Sequence, residues 1–186
     1  MTTSPWRTIP NFITFGRVAA IPVLIVLLYI PGELFSKIAA IVFVVVSFSD
    51  LVDGWLARRM HVETALGRYL DPLADKLLIA AMLVMMVDLE RIPAWMAIVV
   101  ITRELWVTGL RAMAMEHGLV VPSNFWGKSK TVVQLITMCL LIWAYPIGGV
   151  SMQEVGWWLM WPVMLITLWS GFNYTWQFKN LLFEEK

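Results

Sequence analysis

No Asp, Glu, Lys or Arg occurs between Thr131 and Gln153, and none between Val155 and Phe178. Val18 to Gly32 is uncharged as well. A helix that crosses the hydrocarbon of a bilayer needs about 20 predominantly apolar residues. These runs therefore put the chain in a membrane before any other property is weighed. Apolar residues make up 60% of the 186, and the mean hydropathy is +0.75, well outside the soluble globular range. The length suits a single domain spanning 1–186.

The pattern predicts an all-α integral membrane protein with six transmembrane helices. They are expected at about Phe12–Ile30, Ser36–Arg59, Arg68–Val87, Pro93–Glu116, Ser129–Tyr145 and Gln153–Gln177. "PGE" ends the first and "PIGG" the fifth. A short N-terminal segment around Trp6 reads as interfacial, and the first long helix reads as an anchor, not a removable signal. An even number of spans puts both termini on one side. That side collects Arg7, Arg17, Arg58, Arg59, Arg68, Arg111, Lys128, Lys130, Lys179 and Lys186, while the opposite loops hold Lys37 and Arg91. The bias predicts that both termini face the cytoplasm. The net charge of +1 argues against a nucleic-acid partner. Cys139 lies in an apolar run and reads as a small core residue. His61 and His117 are the only histidines, so no zinc site is expected.

Against this background the stretch "SDLVDGWLARRMHVETALGRYLDPLADK", residues 49–76, stands out. Asp50 and Asp53 are roughly 60° apart around the second helix, and Asp71 and Asp75 roughly 40° apart around the third. The short connection between the helices brings these carboxylates to one membrane face. Four anions cannot share a low-dielectric site uncompensated, and Arg58 alone is too little. Hard divalent cations bound by oxygen resolve the conflict. A pair of such ions is the clamp used in phosphoryl transfer. Gly54 and Ala57 leave room for a ligand against the helix, although small residues also serve tight helix packing.

Asp53, Gly54, Ala57, Arg58, Gly67, Asp71 and Asp75 form D-G-x2-A-R-x8-G-x3-D-x3-D, with Asp50 three residues earlier. This string resembles the signature of the CDP-alcohol phosphatidyltransferase family. Outside it, "PNFITFGR", "ITRELWVTGLRAMAMEHG" and "GKSKT" look like the bacterial members that make phosphatidylglycerophosphate. The resemblance implies transfer from CDP-diacylglycerol to glycerol 3-phosphate, two Mg2+ or Mn2+ ions, a homodimer and a bacterial cytoplasmic membrane. It implies that Asp50, Asp53, Asp71 and Asp75 ligate the metals, with Asp75 also the general base. Gly54, Ala57, Arg58, Thr64 and Gly67 would line the CDP pocket. Asn11, Thr14 and Arg17, spaced by three, would contact nucleotide or lipid.

Arg103 and Arg111, eight residues apart, can share one face of the fourth helix. With Lys128 and Lys130 they form a basic set on the active-site side, expected to hold the acceptor phosphate. The competing readings are a pair of Arg103 with Glu104 or a cluster aspartate, and headgroup snorkelling by the lysines. Inositol phosphate or phosphatidylglycerol are alternative acceptors. A membrane prenyltransferase also uses aspartates and Mg2+, but needs more helices. A transporter or proton channel predicts carboxylates near mid-membrane with broken helices.

Overall fold

The computed structural model describes residues 9–60, 65–116 and 125–179, with side chains at 15–48, 73–115 and 129–179. Six helices follow in order: α1 (Ile9–Tyr29), α2 (Glu33–Met60), α3 (Ala65–Asp88), α4 (Ala94–Glu116), α5 (Phe125–Trp143) and α6 (Met152–Gln177). Each lies within a few residues of its expected span. The segment around Trp6 is outside the described residues.

The helices surround one apolar core. Leu24 of α1, Phe43 of α2, Met82 and Met86 of α3, Met96 of α4, Met138 and Leu141 of α5 and Met160 of α6 are all essentially inaccessible. Several are methionines, whose unbranched side chains fill irregular gaps between helices. Helix α1 packs on α2 and α3, α5 on α2 and α6, and α4 on α3 and α6. Gly156 sets the α5–α6 approach: a Cβ there would stand 2.9 Å from Leu141 Cγ and 3.1 Å from its backbone nitrogen.

The outward faces are apolar too. Val26, Val45, Val84, Ile98, Val132 and Leu165, one from each helix, are more than half exposed. Soluble monomers rarely show contiguous apolar surface on this scale. By length and composition α6 alone among the described helices qualifies outright as a membrane crossing, with Phe15–Tyr29 and Ser129–Trp143 as shorter apolar stretches. In α4 the apolar run is interrupted by Arg103, Glu104 and Arg111.

One rim is closed by local contacts. Arg91, in the α3–α4 turn, donates from Nη1 to the carbonyls of Leu141 (2.7 Å) and Ile142 (2.9 Å), capping the last turn of α5. Burial lowers the pKa of this guanidinium. Lys37 pairs with Glu33 at 2.5 Å and sits over the Trp143 ring. The "PIGG" segment does more than end a helix. Gly148 and Gly149 both take positive φ (60° and 85°), so Pro146–Ile147 and Val150–Ser151 pair as a minimal hairpin, β1 and β2. Ser151 then caps α6, its hydroxyl accepting from the Glu154 N–H at 3.3 Å.

Candidate functional site

The helix ends carrying the acidic motif are matched in depth. Asp50 stands ten residues before Met60, the end of α2, and Asp75 ten residues after Ala65, the start of α3. At 1.5 Å per residue both lie roughly 15 Å from the interhelical connection. Asp53 and Asp71 are seven and six residues from the same ends, roughly 10 Å deep. Gly54, Ala57 and Arg58 belong to the last turns of α2, and Gly67 to the first turn of α3. The side chains of Asp50, Asp53, Gly54, Ala57, Arg58, Gly67 and Asp71 lie outside the described set, as does Thr64 altogether.

Asp75 is described. It is half-buried and lines an open cleft between α3, α4 and α5, together with Lys76, Glu104, Lys130 and Gln134. Charged and polar side chains make up most of its lining, which suits a compact polar molecule. Lys130 is 3% exposed and Gln134 5%.

Glu104 Oε1 accepts from Arg103 Nη1 at 2.9 Å and forms an ion pair with Lys130. The expected competing pair of Arg103 with Glu104 is thus present, and Glu104 binds Lys130 with the same oxygen. Arg103 Nη2 donates to Ser170 Oγ of α6 at 2.5 Å. The backbone of α6 comes close here. A Cβ at Gly171 would stand 3.0 Å from Arg103 Cγ.

Arg111 lies two turns further along α4. Its Nη2 donates to the Tyr174 hydroxyl at 2.6 Å, and its guanidinium stacks 5.0 Å from the Tyr174 ring centroid. On the other side of the cleft Lys76 donates to the Thr108 hydroxyl, which itself donates to the Glu104 carbonyl at 2.6 Å. Four cations from three helices thus converge: Lys76, Arg103, Arg111 and Lys130. The Nε atoms of Arg103 and Arg111 are buried without a hydrogen-bond partner. A buried guanidinium N–H without an acceptor is costly.

The structure therefore brings Asp75, Arg103, Arg111 and Lys130 into one region. Arg17 is buried in α1 at 3% exposure. The side chains of Asn11, Thr14 and Lys128 are outside the described set. Sequence reasoning passed over Lys76, Thr108, Ser170 and Tyr174 as site residues, and took Glu104 only as a rival partner. Lys76 had a signal, being a lysine beside Asp75 in an apolar helix. Ser170 and Tyr174 had none, because the α4–α6 contact is made across 60 or more residues of chain.

Among the described residues no group of three or more His, Cys, Asp or Glu side chains gathers to hold a metal. Of the motif aspartates, Asp75 alone has a described side chain. Four hard carboxylates at two matching depths suit oxygen-binding dications.

Residues 7–169 match the family model for CDP-alcohol phosphatidyltransferase. A Bacillus subtilis protein named CDP-diacylglycerol–glycerol-3-phosphate 3-phosphatidyltransferase is 38% identical over 89% of this chain and 92% of its own length. Proteins of the same name from Rickettsia typhi (31% identical; 90% of this chain and 95% of theirs) and Haemophilus influenzae (33%; 89% and 90%) are also similar.

Proposed function

The chain belongs to the CDP-alcohol phosphatidyltransferase family, and on that premise we propose how its helices divide the work of moving a phosphatidyl group. The protein transfers this group from CDP-diacylglycerol to sn-glycerol 3-phosphate, giving phosphatidylglycerophosphate and CMP. The acceptor hydroxyl attacks the phosphorus nearer the lipid. The new O–P bond forms there as the bond to the CMP oxygen breaks.

Asp50, Asp53 and Asp71, with Asp75 completing the second site, hold two divalent cations, Mg2+ or Mn2+. When bound, these neutralise diphosphate charge and make CMP a better leaving group. Asp75 orients the acceptor hydroxyl and takes its proton late in the step, as a carboxylate does in kinases. Gly54, Ala57, Thr64 and Gly67 shape the cytidine pocket, and Arg58 faces the diphosphate. Asn11, Thr14 and Arg17 contact nucleotide or lipid.

Arg103, Arg111, Lys128 and Lys130 hold the phosphate of the acceptor. The observation that carries this reading is the cleft itself. Asp75 and Lys130 line it together, while Arg103 and Arg111 each keep a buried Nε without an acceptor. Arginine suits such a role because its planar fork matches phosphate oxygens. The exposed apolar faces of all six helices support six spans, and the uneven distribution of Lys and Arg supports a site and both termini toward the cytoplasm of a bacterial inner membrane. The resemblance supports a homodimer.

The deciding assay gives purified protein CDP-diacylglycerol, Mg2+ or Mn2+, and separately glycerol 3-phosphate, inositol phosphate, serine or phosphatidylglycerol. CMP release with glycerol 3-phosphate is the expected result. Turnover with serine in preference to it would sink the phosphate-site reading.

A further inference from the structure

Glu104 is the one carboxylate on α4 ahead of its final residue, Glu116. It sits among cations from its own helix and two others: Arg103 and Arg111 of α4, Lys76 of α3 and Lys130 of α5. Its Oε1 serves both Arg103 and Lys130. Its backbone carbonyl accepts from Thr108, which in turn accepts from Lys76. Arg103 carries the chain of contacts on to Ser170 of α6. One residue thus links α3, α4, α5 and α6 by polar contacts at the wall of the cleft that holds Asp75.

We propose that Glu104 is a positioning residue for acceptor binding: its shared oxygen fixes Arg103 and Lys130 at the separation that the acceptor phosphate requires. The proposal rests on the phosphate-site reading above. Lys130 and Arg103 are both buried, at 4% and 10% side-chain exposure. Two cations so close together repel strongly in a low-dielectric wall unless an anion stands between them. A phosphate does this only while it is bound. Glu104 does it in the empty site, so the cations are already in place when the acceptor arrives. Preorganisation of this kind lowers the cost of binding. It acts on the acceptor alone, because the CDP-lipid is held by the α2–α3 motif.

The test uses the full-length protein in detergent or nanodiscs and compares Glu104→Gln, Glu104→Asp and Arg111→Ala. Glu104→Gln is expected to raise KM for glycerol 3-phosphate at least about tenfold, since the buried cations lose their counter-charge. KM for CDP-diacylglycerol should stay within about twofold, and Glu104→Asp should recover part of the loss, because charge is kept at a shorter reach. Inhibition by inorganic phosphate, which competes with the acceptor, should weaken in parallel. In a Lys130→Gln background, Glu104→Gln should have a smaller effect than it has alone, because part of its effect passes through Lys130. An unchanged or lowered acceptor KM in Glu104→Gln overturns the proposal, as does an equal rise for both substrates. If Glu104→Gln does not fold, Glu104→Asp decides: an acceptor KM at the wild-type value overturns the proposal, and a selective rise supports it. Arg111→Ala separates the two ideas. If it leaves the acceptor KM unchanged, the phosphate-site reading falls and this proposal with it. If it raises that KM while Glu104→Gln does not, only the positioning role falls.

Discussion

The aliphatic stem of Arg103 rests on Gly171 across the α4–α6 interface, with room for hydrogen but little for a methyl group. The contact aims the guanidinium at Glu104 and Ser170. Alanine at 171 would press on a flexible stem 3.0 Å away and push it by a few tenths of an ångström. Removing a glycine from a helix interior otherwise favours the helix by up to about 1 kcal/mol. Gly171→Ala should therefore leave Tm level or slightly raised while increasing KM for glycerol 3-phosphate severalfold. Gly171→Val should increase it further. Thermal unfolding and CMP-release kinetics on the same preparations check both halves.

Gly156 gives the opposite outcome from the same substitution. There the added methyl meets Leu141 Cγ at 2.9 Å and the Leu141 backbone nitrogen at 3.1 Å, and backbone cannot yield as a side-chain stem does. Forcing α5 and α6 apart should cost about 1–3 kcal/mol. Gly156→Ala is expected to lower Tm by several degrees with kinetic constants unchanged at temperatures where it is folded, as differential scanning fluorimetry and acceptor titrations would show.

Arg111 is held by Tyr174 through both a hydrogen bond and ring stacking. Arg111→Ala should raise KM for glycerol 3-phosphate by about tenfold or more, the scale of a lost charge-assisted contact. KM for CDP-diacylglycerol should hardly move. Tyr174→Phe keeps the ring and loses the hydroxyl, so it should give a smaller rise in the same constant. An acceptor titration at saturating CDP-lipid measures both.

Chelation should abolish CMP release, and Mg2+ or Mn2+ should restore it. Asp53→Asn and Asp71→Asn should each reduce kcat by at least about 100-fold, the scale of losing electrostatic stabilisation at a reacting phosphate. Elution and unfolding of these variants should match the parent. Crystals soaked in manganese should show anomalous peaks beside residues 50, 53, 71 and 75.

The helix spans were legible because charge-free runs and breakers such as "PIGG" report directly on burial and backbone geometry. The acidic motif was legible because spacing along a helix is spacing around it, so Asp71 and Asp75 had to share a face. The wiring of the basic set was not. Periodicity tells which face of α4 carries Arg103 and Arg111, but not that α6 would supply Ser170 and Tyr174 to meet them. Nor does it say that Glu104 would bind Arg103 and Lys130 with one oxygen. Such pairings depend on which helices become neighbours, and that is decided by apolar packing throughout the core.

The Arg91 cap has a further consequence. Its guanidinium is engaged by two carbonyls of α5, and Lys37 on the same rim is engaged by Glu33. Both charges are thus turned inward, tying the α3–α4 turn to the end of α5 and the start of α2 to the Trp143 ring, so that this rim behaves as a clasp across four helix ends.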